Sequence, residues 1–125
     1  MSDSTYDGIR TKPAKPLVWL HGEVRTRPFS SRARVEAGVL LRQLQEHGKP
    51  SLPHSRPMPG IGRACHELRI QDQDRTWRIM YCIDTAAIVV LEVFAKATAR
   101  TPLAIFDVCK ARLGRYRVVA KEDRV

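Results

Sequence analysis

Apolar and polar positions change period several times along the chain, and each change marks an element. Leu17-Val18-Trp19-Leu20-His21 is a short β-type run closed by Gly22 and predicts a first strand. Further on, Ala33, Ala37, Leu40, Leu41 and Leu44 recur at helical spacing, with Arg34, Glu36, Arg42, Gln43 and Glu46 on the other faces. The run Thr26-Arg27-Pro28-Phe29 forms a turn into this helix, Ser30 or Ser31 caps it, and Gly48 ends it. Residues 49–62, KPSLPHSRPMPGIG, hold four prolines and two glycines, a composition that predicts a loop without regular structure. Loops of that length inside a compact domain are often functional.

Three strand-like runs follow at hairpin spacing. His66-Glu67-Leu68-Arg69-Ile70 alternates and ends in the turn Asp72-Gln73-Asp74. Residues 76–83, TWRIMYCI, are rich in β formers and end at Asp84-Thr85. Residues 87–94, AIVVLEVF, are almost continuously apolar, as a central strand covered on both faces should be. Short polar turns make the three runs antiparallel neighbours. A second helix then starts with Thr101 as N-cap and Pro102 at its first position. Leu103, Phe106, Cys109 and Leu113 form its apolar stripe, and Lys110, Arg112, Arg115 and Arg117 crowd its last turns, where cations suit the helix dipole.

The order strand, helix, loop, three strands, helix predicts an α+β fold. A small antiparallel sheet, made of the N-terminal strand and a three-stranded meander, carries one helix after the first strand and one at the C-terminus. The domain spans residues 17–117, after a flexible segment over 1–16 and before a frayed tail over 118–125. No stretch is long and apolar enough for a membrane span, and the N-terminus lacks the apolar core of a secretory signal, so a cytoplasmic protein is expected. Cys65, Cys82 and Cys109 are odd in number and far apart, which fits buried reduced thiols better than a disulfide framework or a zinc site.

Charge narrows the function. Lys and Arg total 22 against 13 Asp and Glu, a net charge of +9. Sixteen of those cations are arginines, whose guanidinium pairs with phosphate in a bidentate way that lysine cannot. Such a field favours nucleic acid, an anionic membrane surface or an acidic protein. Alternation turns Leu68 and Ile70 to one side of their strand, and Glu67 and Arg69 to the other. Arg78 lies among residues fit for burial, so it needs either a carboxylate, from Glu67 or Glu92, or a ligand phosphate. Lys96 ends the last strand, a rigid base from which it can reach a bound backbone.

These runs resemble a known family. His66-Glu67-Leu68-Arg69-Ile70, Thr76-Trp77-Arg78-Ile79-Met80-Tyr81, Glu92-Val93-Phe94-Ala95-Lys96-Ala97-Thr98 and Thr101-Pro102 are similar to the phage-related, HigB-like branch of the RelE/ParE toxin superfamily, as is Leu52-Pro53-His54-Ser55-Arg56-Pro57-Met58. The resemblance covers roughly residues 16–117. It implies the toxin of a type II toxin–antitoxin pair: an mRNA endoribonuclease, often acting on the ribosome, with no metal and no cofactor, and with a cognate antitoxin, acidic or of helix-turn-helix type, encoded beside it. Alternatives on the same fold are a ParE-like inhibitor of a DNA topoisomerase and a phage-derived nucleic-acid-binding module.

The resemblance also assigns roles. Transfer of the scissile phosphate to the neighbouring 2′-hydroxyl requires a base, stabilisation of an anionic phosphorane, and a proton for the departing oxygen. Arg78 matches the superfamily's strand arginine and takes the transition-state role, with Arg69 as its companion. Lys96 would hold phosphate or protonate the leaving group, and Tyr81 would stack on a base or orient the nucleophile. Arg56, Lys49 and Arg100 are expected to contact RNA. Arginine cannot act as the base. His54, His66, Glu67 and Lys96 stay open for that role, with His54 placed in the catalytic set.

Overall fold

Ser30 starts the first helix in the computed structural model, which describes residues 14–20, 29–47, 55–73, 75–96 and 101–123, with the backbone alone at Lys96, Glu122 and Asp123. The Ser30 carbonyl accepts the Arg34 N–H at 2.9 Å, and its hydroxyl accepts the Ala33 N–H at 3.1 Å. Of the two candidate serines, Ser30 is therefore the N-cap. The elements are β1 (Leu17–Trp19), α1 (Ser31–His47), β2 (Ser55–Pro57), β3 (Cys65–Asp72), β4 (Arg75–Ile83), β5 (Ile88–Lys96) and α2 (Leu103–Asp123).

The α+β fold and the β3–β4–β5 meander agree with the sequence reading. Two features of the sheet differ. Among the described residues it has five strands, in the order β1-β5-β4-β3-β2, because residues 55–57 pair with β3 where a plain loop was expected. It is also mixed, since β1 runs parallel to β5. The reason is connectivity: α1 carries the chain away after β1, so β1 meets β5 from across the fold and not through a hairpin.

The sheet separates two apolar layers. Ala33, Ala37, Leu40, Leu41 and Leu44 of α1 pack on Leu68, Ile70, Ile79, Tyr81, Ile88 and Val90. On the other face, Cys109 and Leu113 of α2 pack on Met80, Cys82, Val89 and Leu91, with Met58, Ile61 and Cys65 at the margin. This two-sided cover explains the continuous apolar run of β5. The three cysteines are buried and free.

Two expectations about α2 are corrected. The helix continues to Asp123, so residues 118–123 are not a frayed tail. Phe106 N–H donates to the Pro102 carbonyl, which puts the helix start one residue later than read, and Leu103 is exposed rather than part of the apolar stripe. No helix among the described residues is long and apolar enough to cross a membrane.

An irregularity in β5 positions a further arginine. Met80 pairs with Glu92 and Tyr81 with Val90, which leaves Leu91 as an extra residue on its strand. Strict alternation from Val90 would send Glu92 toward α1; the bulge turns it toward α2. There Arg112 donates to the Leu91 carbonyl at 2.7 Å and to Glu92 at 3.2 Å.

Candidate functional site

Glu67 is the centre of charge on the α2 face of the sheet. Its side chain is fully buried on β3, and alternation places Arg69 on the same face two residues later. Strand β2 brings Arg56 directly opposite Glu67, and β4 brings Arg78 opposite Arg69. Three guanidiniums on three adjacent strands therefore converge on one carboxylate oxygen. Oε1 accepts from Arg78 Nη1 at 2.9 Å and from Arg69 Nε at 3.3 Å, and it forms an ion pair with Arg56 Nε at 3.2 Å. The Thr101 hydroxyl, just before α2, reaches Oε2 at 3.5 Å.

Burial divides the roles of the three arginines. The Arg78 side chain is 10% exposed, so it is locked by its neighbours, whereas Arg56 and Arg69 are 45% and 42% exposed and keep donors in solvent. Arg78 Nε is buried without a hydrogen-bond partner. Among the described residues three positive charges face this one negative, held on the sheet by ion pairs and hydrogen bonds. Such an array can bind and stabilise an oxyanion with little reorganisation.

Arg78, Arg69 and Arg56 from the sequence reading thus meet in one place. Of the two carboxylates considered for Arg78, Glu67 is the partner, because Glu92 is held by Arg112. Tyr81 does not join them. It projects to the opposite face, fully buried in the α1 layer, where its hydroxyl meets Ser55 Oγ at 2.6 Å. Burial pushes the Tyr81 phenol up to about 12. His66 stacks on that ring, with centroids 5.4 Å apart, and burial lowers its imidazole below the usual range. It too faces away from Arg78. Lys96 closes β5 with its backbone in register with Thr76. His54, Lys49 and Arg100 lie outside the described residues.

The organising role of Glu67 was only partly visible in the sequence. The residue was singled out as one arginine's partner, but its contact with Arg56 depends on a strand hidden in a proline-rich segment. The pairing of Ser55 with Leu68 and of Arg56 with Glu67 sets that geometry.

The chain matches the family model described as Phage derived protein Gp49-like (DUF891) over residues 26–114. It belongs to that family. The matched region contains α1, β2 to β5 and most of α2, hence every member of the arginine cluster. The Gp49-like family is associated with RelE- and HigB-like toxins. Searches among curated proteins and among solved structures each returned no match.

Proposed function

We propose that this Gp49-like protein is the toxin of a type II toxin–antitoxin pair of the HigB-like kind and that it cleaves mRNA. The observation that carries this reading is the convergence of Arg56, Arg69 and Arg78 on Glu67, with two half-exposed guanidiniums and three positive charges facing one negative among the described residues. In the reaction, an RNA 2′-oxygen attacks the adjacent phosphorus and the bond from phosphorus to the 5′-oxygen breaks. A 2′,3′-cyclic phosphate and a 5′-hydroxyl are left. Arg78 stabilises the phosphorane, while Arg56 and Arg69 hold the flanking phosphate oxygens. One group takes the proton from the 2′-hydroxyl and another returns one to the leaving oxygen. Glu67 shares a face with Arg78 and His66 does not, which favours Glu67 over His66 for proton transfer, beside the His54 and Lys96 that the family resemblance suggests. The partner would be an antitoxin encoded next to the toxin, presenting acidic groups to the same basic face.

Controlled induction tests the reading. Growth arrest should coincide with cleaved transcripts, and Arg78→Ala should lower cleavage by roughly 100-fold to 1,000-fold, as loss of one oxyanion donor does elsewhere, while circular dichroism stays unchanged. A folded Arg78→Ala protein that remains as active as the parent would remove Arg78 from the chemistry. Intact transcripts with broken DNA would replace the nuclease reading with topoisomerase inhibition, and harmless induction would leave a nucleic-acid-binding module.

A further inference from the structure

At the end of the β3–β4 ladder farthest from its turn, two cysteines stand in register: Cys65 on β3 and Cys82 on β4. The neighbouring pair is hydrogen-bonded, since Ile83 N–H donates to the Ala64 carbonyl at 2.9 Å. Pairs alternate along an antiparallel ladder, so Cys65–Cys82 is a non-hydrogen-bonded pair, the kind whose Cα atoms approach to about 4.5 Å. That separation lies inside the range a disulfide spans, roughly 4.4–6.8 Å between Cα atoms. Both sulfurs turn toward one acceptor, the Arg63 carbonyl, at 3.8 Å from Cys65 and 3.6 Å from Cys82. Cys109 is buried in the same cluster but sits on α2, outside the strand register.

The two thiols are not equivalent. Arg117 reaches from α2 to place Nη2 3.6 Å from Cys82 Sγ. Its place beside Cys65, together with the Arg117 charge, lowers the Cys82 thiol despite its burial. The neighbouring Cys82 sulfur, with burial, pushes the Cys65 thiol up. The Arg117 guanidinium beside it thus makes Cys82 the better thiolate of the two.

We propose that Cys65 and Cys82 form an oxidation site, in which a low-molecular-weight disulfide converts the pair to a cross-strand disulfide with Cys82 as the attacking sulfur. In the first step the Cys82 thiolate attacks the reagent disulfide, forms a mixed disulfide and releases one reagent thiolate. In the second, the Cys65 sulfur loses its proton and attacks Cys82 Sγ, which expels the second reagent thiolate; that thiolate takes up the proton. Two protein thiols are oxidised and one reagent disulfide is reduced to two thiols. Both cysteines are buried, so access requires the segment over them to open. The turn at Gly62 lies directly over the site, where an added Cβ would sit 3.4 Å from Cys65 Sγ. Such a turn opens at lower cost than the whole fold. The new bond would cross-link the hairpin that carries Glu67, Arg69 and Arg78, so oxidation would stiffen the arginine cluster's own scaffold.

The experiment treats the full, folded chain with oxidised glutathione, alkylates the remaining thiols and maps the peptides by mass spectrometry. The expected product has lost two hydrogens, contains a Cys65–Cys82 linkage, and keeps Cys109 available for alkylation after unfolding. Cys65→Ser should trap glutathione on Cys82. Arg117→Gln should slow the reaction several-fold at neutral pH and move its pH profile upward, with Arg117→Lys recovering part of the rate. Three unreacted thiols in the folded chain, or a linkage through Cys109 or to a second chain, overturn the proposal. Glutathione trapped away from Cys82 in Cys65→Ser, or an unchanged rate in Arg117→Gln, overturns the assigned order of attack.

Discussion

Arg69 and Arg78 stand directly opposite each other on β3 and β4, two guanidinium side chains at a cross-strand pair. Like charges in that position destabilise a ladder. Glu67, two residues before Arg69 and diagonal to Arg78, accepts from both and removes the conflict. The carboxylate offsets the repulsion between the two guanidiniums.

Glu67→Ala should therefore be among the most damaging single changes in the chain. It leaves the nearly buried Arg78 without its counter-ion, and loss of one partner of a buried pair costs about 3–5 kcal/mol. Urea titration measures the effect. The combined change Glu67→Leu with Arg78→Met should regain most of the stability, because neither charge then remains buried. A single Glu67→Ala variant within ~0.5 kcal/mol of the parent would show that the cluster does not depend on this carboxylate.

Tyr81→Phe separates the two faces of the sheet. It deletes the hydroxyl that meets buried Ser55, leaving that serine without this partner at a cost of about 1–3 kcal/mol. Because Tyr81 projects away from Arg78, the RNA cleavage proposed above should be unchanged per folded molecule. A variant of unaltered stability that has lost this cleavage would return Tyr81 to the site.

The pH dependence of stability should carry the signature of Asp72. Its carboxylate accepts the Ser30 hydroxyl at 2.6 Å and N–H at 3.0 Å, and the Trp77 Nε1–H at 3.0 Å. The bonds from Ser30, with help from Trp77 and Arg32, hold it below its ordinary value of 3.8. A lowered folded-state value means that this contribution is full above about pH 4 and is lost as the pH falls through the folded value. Ser30→Ala removes one of those donors and the N-cap, so it should cost about 1 kcal/mol near neutrality. It should also flatten the acid limb of the stability curve; an acid limb identical to the parent's would contradict the assignment.

Gln73 occupies the β3–β4 turn with φ of 44°, a left-handed conformation. The turn is tight, since Asp72 and Arg75 already pair. A side chain there is strained by about 1 kcal/mol, which glycine relieves. Gln73→Gly should raise the thermal midpoint without touching the cluster, and a lowered midpoint would refute the strain.

The legible parts of this protein were those governed by nearest neighbours in sequence. Helical spacing placed α1, alternation separated Glu67 and Arg69 from Leu68 and Ile70, and β-forming runs located three strands. Strand β2 was hidden because Ser55-Arg56-Pro57 has no periodicity of its own. Proline survives there because the strand lies at the sheet edge, where a missing N–H costs no ladder bond. The face that Tyr81 occupies follows from alternation. It lies beside Arg78 along the chain, but three residues apart in a strand means opposite faces. The role of Asp72, read only as a turn residue, required knowing that Ser30 arrives beside the hairpin.

The chain by itself determined the element types, the apolar faces, the excess of arginine and the strand from which Arg78 projects, because period and composition are local properties. The tertiary structure alone decided which carboxylate neutralises Arg78, that Arg56 joins it, and that Cys65 meets Cys82. Those are matters of register and strand order, in which a shift of one residue exchanges the two faces of a strand. The site is thus a product of pairing: three arginines scattered between positions 56 and 78 become one cationic cluster only when β2, β3 and β4 align on Glu67.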